Sequence, residues 1–372
     1  MADASIVAHF SILKDPRIER HKKHNLVDIL VLAICGVLRG AEGWEAIEEY
    51  GQTKLEWLRK FIPLENGIPA HDTIARVLSR ISAKGLQECF SNWVNAVHRV
   101  TEGEVVAIDG KTVRRSFDKA SRKGAIHRVS AWASRNGLVL GQLKTEEKSN
   151  EITAIPKLLE ILELKGCIVT LDAMGCQKEI AQSIIDKEAD YVLAVKGNQG
   201  QLHEAIVDFF TTARAADFND VPYDYYEDTE AGHGRVEVRR YWTTSVLSTL
   251  PHPQEWAGLS IIGLAESERH SGEHVSIEQR YYIASLPSDA RQFGRAVRHH
   301  WGIENSLHWV LDVTLREDEC RIRRGEAAEN LCTLRHFALN LLKQEKTLKK
   351  GIKQKRLKAG WDDNYRAKVL FG

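Results

Sequence analysis

At 372 residues, with 43% hydrophobic and 28% charged content, the chain is long enough for two or three cores and has the composition of an ordinary soluble protein. The N-terminal MADASIVAHFSILKDP lacks the basic start and pure apolar stretch of a secretory signal, and the longest apolar run, Leu26 to Leu38, carries Asp28 and falls short of the roughly 20 residues of a membrane span. Neither segment resembles a secretory signal or a membrane span, so a cytoplasmic location is expected, while a formal net charge of +1 conceals a strongly basic tail.

From about residue 10 to 98 the apolar spacing is helical, through LVDILVLAICGVL, WEAIEEYGQTKLEWLRKFI, HDTIARVLSRI and GLQECFSNWVNAV. Breaks fall at Gly40 to Gly43 and Pro63 to Pro69, and Asp72 or Thr73 is placed to cap the third helix. Residues 1–98 therefore read as an all-helical N-terminal domain. HDTIARVLSRI fits either a plain core helix or the reading helix of a helix-turn-helix.

From 104 the pattern turns to strands: EVVAIDG, then HRVSAWASRNGLVLGQLKT with Asn136-Gly137 at a hairpin turn. Helices ITAIPKLLEILELKG, KEIAQSIIDKEA and QLHEAIVDFF then alternate with strands CIVTLDAM and DYVLAVKG. Residues 99–215 thus predict the first part of a mixed α/β sheet with helices on its faces. Between 216 and 287 three short strands, RVEVRRYWTT, LSIIGLAESER and SIEQRYYIASL, predict a β-rich insertion. Residues 288–345 return to helix, and 346–372 form the basic tail. Lys343, Lys346, Lys349, Lys350, Lys353, Lys355, Arg356 and Lys358 read either as a solvated helix end or as a phosphate-binding tail. The six cysteines show no CxxC spacing, which argues against a zinc site or a disulfide framework.

Two of the strands are expected to end in an aspartate, Asp109 and Asp172, and carboxylates at neighbouring strand ends can converge. A third acid, Glu304, stands in HHWGIENSLHWVLDV, four residues from both His300 and His308 and so on one helix face with them. Its spacing is not the HExxH of zinc proteases. Three carboxylates from two strand ends and a helix make an oxygen-rich site suited to Mg²⁺ or Mn²⁺. Such a site can hold two ions about 4 Å apart for in-line phosphodiester displacement. Lys111, Arg114, Arg115, Lys196, Arg235, Arg239, Arg298, Arg321 and Arg323 are placed to bind phosphates around it. The Gly-Lys-Thr after Asp109 is no nucleotide loop, because a P-loop needs a glycine where this chain has Val105.

The segments VVAIDGKTVRRS, HRVSAW, KSNEITAIPKLL, VTLDAMGCQ, DYVLAVKGNQ, GHGRVEVRR and HHWGIENSLHWVLDVTLREDECRIRRGEAAENLCTLRHFALNLL resemble, in this order, the ISAs family of bacterial insertion-sequence transposases, which includes the H-repeat-associated proteins. The resemblance covers nearly the whole chain. It implies a DDE transposase whose RNase H-like catalytic domain is interrupted by a β-rich insertion and preceded by a helical domain that binds DNA ends. By motif its metal-binding triad falls on Asp109, Asp172 and Glu304. The implied reaction is nicking at element ends followed by attack of the freed 3′-hydroxyl on target DNA, with two Mg²⁺ or Mn²⁺ ions and at least a dimer on DNA, at the nucleoid. Related transposases carry Tyr-x2-Arg-x3-Glu-x6-Lys around the last acid; here those places hold Val297, His300 and Leu311, leaving phosphate contact to Arg298 and His300. Lys196, Asn198 and Gln199 of KGNQ, His233, Arg235 and Arg239 of GHGRVEVRR, and Asn305 and His308 beside Glu304 are the further DNA-contacting positions by motif. Two other readings share these features: a transposase copy that binds DNA without activity, and a metal-dependent nuclease that cuts without joining.

Overall fold

The computed structural model describes residues 6–98, 101–117, 124–145, 151–232, 235–272 and 274–372. The N-terminal helices are α1 (Ile6–Phe10), α2 (Leu26–Arg39), α3 (Trp44–Thr53), α4 (Leu55–Leu58), α5 (His71–Leu78) and α6 (Ala83–Val97). Every residue of α2 from Ile29 to Leu38 is buried, as its unbroken apolar run requires. Asn25 caps it by accepting from the Val27 N–H, and Gly40 ends it at φ 108. Asp28, the acid inside that run, is buried because its Oδ2 accepts the Leu64 N–H at 3.0 Å.

Neither Asp72 nor Thr73 caps α5, contrary to the sequence expectation. Its N-cap is Ala70, and the exposed helix end is served by Glu48 of α3, which accepts the His71 N–H at 2.8 Å and sits 2.7 Å from His71 Nδ1. The apolar face of α5, Ile74, Val77 and Leu78, is buried, and the helix packs on α3 and on α11 (Ala327–Gln344).

The strands are β1 (Val105–Val113), β2 (Ile126–Ala133), β3 (Leu138–Thr145), β4 (Ile168–Leu171), β5 (Asp190–Val195), β6 (Asp224–Gly232), β7 (Arg235–Thr244), β8 (Ile261–Ser271) and β9 (His274–Ala284). They form one nine-stranded sheet in the order β3-β2-β1-β4-β5-β9-β8-β7-β6. Only β1–β4 and β4–β5 are parallel. The fold is therefore mixed α/β. The turn from β2 to β3 runs through Asn136 and Gly137, the latter at φ 67. The β-rich segment expected at 216–287 supplies β6 to β9, and because β9 pairs antiparallel with β5 these four strands extend the same sheet. β6 was not expected, since DYYEDTEAG carries charge instead of alternating apolar residues.

Helices α7 (Glu151–Ile161) and α8 (Lys178–Asp186) pack against β2, β3 and β5, α9 (Gly200–Ala215) against β9, and α10 (Ala290–His300) against β1, β4, β5, β7 and β8. α11 is buried along nearly its whole length and touches α2, α5, α6 and β3, so one continuous core runs from Ile29 and Phe90 through Phe337 to Trp132 and Val106. No described helix is long and apolar enough to cross a membrane.

The basic tail folds into α12 (Ile352–Trp361) and α13 (Asp363–Phe371). Three of its cations act on helix C-termini, where unpaired carbonyls gather. Lys355 is buried and donates to Leu342 O at 3.0 Å and to Glu345 O at the end of α11. Arg356 donates to Val37 O of α2 at 3.0 Å and to Thr314 O. Arg366, wholly buried, donates to Ala359 O at 3.1 Å and lies 4.1 Å over the Trp57 ring. Lys346, Lys349, Lys350, Lys353 and Lys358 remain exposed.

Candidate functional site

β1 does not end at Asp109. It continues four residues further, with Asp109 opposite Ser130 and Gly110 to Val113 paired to β2, so the Gly-Lys-Thr is strand. What stops near Asp109 is the neighbour: β4 pairs with β1 only as far as Leu171 opposite Ile108. Asp109 and Asp172 are thus the next matched positions on two parallel strands, where side chains leave the same face. Asp109 Oδ1 accepts the Gly110 N–H at 2.8 Å. Asp172 accepts from Met174 N and Gly175 N at 3.0 and 3.3 Å, so it caps a turn as well as facing the site.

The segment after α10 is not the plain α-helix its sequence spacing suggests. Two π-helical turns, Glu304–His308 and Val310–Thr314, follow each other. Bonding from i to i+5 puts a residue four places on nearly one turn later, so His308 stacks beyond Glu304. Glu304 is exposed and His308 buried. One ligand atom each from Asp109, Glu304 and His308 lies within 4.8 Å of the others, and His308 Nδ1 is 3.5 Å from Asp109 Oδ2. Asp172 is not within that spread, although its charge reaches Asp109. His300 spends its Nδ1 on Thr170 Oγ1 of β4 at 3.0 Å, which ties α10 to the strand that delivers Asp172.

The electrostatics ask for a cation. Burial, together with the charges of Asp172, Glu304 and Glu151, pushes the Asp109 carboxyl up to about 7 despite its bond from Gly110. Burial likewise raises Asp172. His308 is pushed down to about 4 by burial and by Lys111, and its Nε2 is buried without a hydrogen-bond partner. The carboxylate oxygens of Asp109 and Glu304 suit a hard divalent ion of the Mg²⁺ or Mn²⁺ type, while the His308 imidazole beside them is a nitrogen donor more usual for later transition ions.

Lys111, expected at a phosphate, is turned inward. Its Nζ lies 2.7 Å from Asp312, 3.3 Å from Glu317 and 3.2 Å from Asp318, because β1 runs beside the chain leaving the second π turn. Asn198 and Gln199 are likewise engaged, donating to Ala173 O at 2.6 Å and Cys176 O at 2.9 Å, which braces the turn after Asp172. Arg239 is buried between Glu230 and Glu237, Arg298 reaches Glu230 at 2.8 Å, and Arg323 donates to Arg115 O at 3.0 Å. Arg114 is exposed, with its Nε 3.3 Å from Asp318. Arg115, Lys196, Arg235, Asn305 and Arg321 are exposed. His233 lies outside the described residues.

A cleft of about 260 Å³ opens between β7–β9 and α10, lined by Arg235, Arg239, Arg269, Arg280, Arg298, Trp301 and Asn305 among others. Arg280 sits 4.1 Å over the Trp301 ring. Sequence reading missed Arg280, the acids that hold Lys111, and Glu151. The run Arg316-Glu317-Asp318-Glu319 in a basic stretch, and a lone acid opening α7, were the available signals.

Family comparison gives two matches, a Transposase DDE domain over residues 101–341 and a DDE_Tnp_1-associated region over residues 7–94. "Putative transposase YncI" of Escherichia coli O157:H7 is 48% identical, covering 100% of this chain and 95% of that protein. "H repeat-associated putative transposase YhhI" of Escherichia coli K12 is 47% identical, covering 99% and 98%. Among solved structures, a piggyBac transposase synaptic complex with hairpin DNA gives a TM-score of 0.43 at 10% identity, covering 99% of this chain and 78% of that one, a likeness too loose to carry an argument.

Proposed function

Since the chain belongs to the insertion-sequence DDE transposase family that includes the H repeat-associated proteins, we propose that it cuts DNA at the ends of its element and joins the freed 3′-hydroxyl to target DNA. Asp109, Asp172 and Glu304 are the proposed metal ligands, in an RNase H-like arrangement of β1, β4 and β5 with α10 and the π turns. The observation that carries this reading is the meeting of Asp109, Glu304 and His308 within 4.8 Å, from parts of the chain almost 200 residues apart. Divalent cations, Mg²⁺ or Mn²⁺, would supply there the charge that activates a water or 3′-hydroxyl and stabilises the leaving oxygen.

The chain's own residues would do the rest. The two N–H groups bonded to Asp172 and the one bonded to Asp109 fix where those carboxylates point. Lys111, through Asp312 and Glu317, clamps the π segment to β1 and so sets the distance of Glu304 from Asp109. Exposed Lys196, Arg115, Arg235 and Arg321 are left to hold phosphates, and Arg239 and Arg298 can trade Glu230 for one. The working form would be at least a dimer, because two element ends are cut together.

A strand-transfer assay tests the proposal, using duplexes that carry the inverted repeats flanking the coding region. Nicked ends joined to a target support transposition. Nicks without joining leave a nuclease, and binding without cleavage leaves an inactive DNA-binding copy.

A further inference from the structure

Gly110, the residue after Asp109, has no room for a side chain. A Cβ there would lie 2.3 Å from Glu151 Oε1 and 2.8 Å from His127 Nε2, well inside contact distance. Glu151 opens α7 and is only 5% exposed. Burying a carboxylate is costly unless it is bonded and balanced. Its Oε1 is 2.5 Å from His127 Nε2, and His127 Nδ1 is 2.7 Å from Thr112 Oγ1. That chain of contacts suits the tautomer in which Nε2–H donates to the carboxylate and the Thr112 hydroxyl donates to Nδ1. It fixes Glu151 in place with an imidazole that is itself anchored to β1.

The sheet leaves a way through. β4 ends level with Ile108, so on that flank no strand lies beside Asp109 and Gly110. α7 packs on the turn Ala173–Gly175 that follows Asp172. An acid at the start of α7 can therefore address the open flank shared by both aspartates, and its charge helps to push both of them up.

We propose that Glu151 is a fourth carboxylate of the divalent-cation site, seated against Gly110 and oriented by His127 and Thr112. This inference rests on the metal reading given above. Gly110 is then required for the space it leaves to Glu151 and not for flexibility.

The test is calorimetric titration of the full chain with Mn²⁺ alone, with thermal melting and circular dichroism on every variant. Glu151→Gln is expected to weaken Mn²⁺ binding by about tenfold or more, the lower bound for changes in the shell around a metal. Gly110→Ala, which keeps every carboxylate but displaces this one, is expected to show a similar loss, and Thr112→Val a smaller one. Folded Glu151→Gln that binds Mn²⁺ like the wild type, while Asp109→Asn does not, overturns the assignment and leaves the metal site standing. If Asp109→Asn also binds normally, the metal reading itself has failed. Should Glu151→Gln not fold, Gly110→Ala decides, and unchanged Mn²⁺ affinity in that variant overturns the proposal.

Discussion

The two ends of the sheet hold their side chains in place by different means. β4 and β5, four and six residues long, are apolar strands enclosed between helices, and β1 beside them is buried from Val105 to Ile108. β8 and β9, eleven residues each, run out beyond their cover and carry charge along the outer half. At the first end, register and burial fix where Asp109 and Asp172 emerge. At the other, ion pairs contribute: Arg240 of β7 with Glu227 across on β6 and Glu266 and Glu268 across on β8, Arg239 with Glu230 across on β6 and Glu237 of its own strand, and Arg298 of α10 with Glu230. Arg239, Glu237 and Glu266 are buried, but Arg298–Glu230 is an exposed pair that contributes about 0–1 kcal/mol and can be exchanged for phosphate at little cost. Under the proposed function, the site that has to hold its geometry lies at the buried end and the surface proposed to meet DNA at the solvated one.

Replacing an acid at the buried end gives the largest expected effect. Asp109→Asn, Asp172→Asn or Glu304→Gln should each lower DNA cleavage by more than about 100-fold, beyond what outer-shell changes cost, while filter binding of the same DNA stays close to wild type. Near-normal cleavage in any one of them would remove that residue from the triad.

Lys111→Met comes next and tests whether the buried end depends on its clamp. Removing one partner from a largely buried ion-pair group should cost about 3 kcal/mol in urea unfolding. If Lys111 instead met a phosphate, stability would hold and the salt dependence of DNA binding would flatten by about 0.9 in log–log slope.

A pH scan sharpens the same point. Burial opposes ionisation of Glu317, yet Lys111, Arg128 and Arg335 hold it down at about 2. Because its folded pKa lies below the usual carboxylate value, the unfolded chain binds more protons across that interval. Its contribution is present above the ordinary range and is lost as pH falls towards 2. The melting temperature should therefore drop on the acid side in the wild type and more gently in Glu317→Gln; parallel acid limbs would show that Glu317 carries no such charge.

The smallest effect belongs to the solvated end. Arg298→Ala should change stability by less than about 1 kcal/mol but reduce the salt slope of DNA binding by about 0.9. An unchanged slope would mean that this end does not meet DNA.

The enclosed strands were legible in the sequence because burial writes itself as apolar runs: VVAI, IVTL and YVLAV announce β1, β4 and β5, with Asp172 and Lys196 directly after the last two, whereas β1 runs four residues past Asp109. Glu304 stood out for its histidine neighbours, but the π turns that set its orientation leave no mark in residue spacing. β6 was illegible because nearly all of its residues are exposed and charged ones dominate, which reads as loop chemistry; β7 holds it by backbone pairing along its whole length, with Tyr225 against Trp242 and Tyr226 against Tyr241. Long-range partners were hidden for a simpler reason. Nothing near Lys111 points to Asp318, more than 200 residues later, and nothing near His71 favours Glu48 over Asp72. Likewise, the tail's charge count gave no hint that Lys355 and Arg356 would be spent on carbonyls.

Arg356 has a consequence for how the chain is made. The Val37 carbonyl near the end of α2 waits for a guanidinium 319 residues further along, and the same side chain reaches Thr314 at the end of the second π turn. Domains usually fold as they leave the ribosome, first part first. Here the contact of Arg356 with the end of α2 forms only once α12 has been synthesised, so the helical region and the segment after Glu304 acquire this shared tie late, after both have been made.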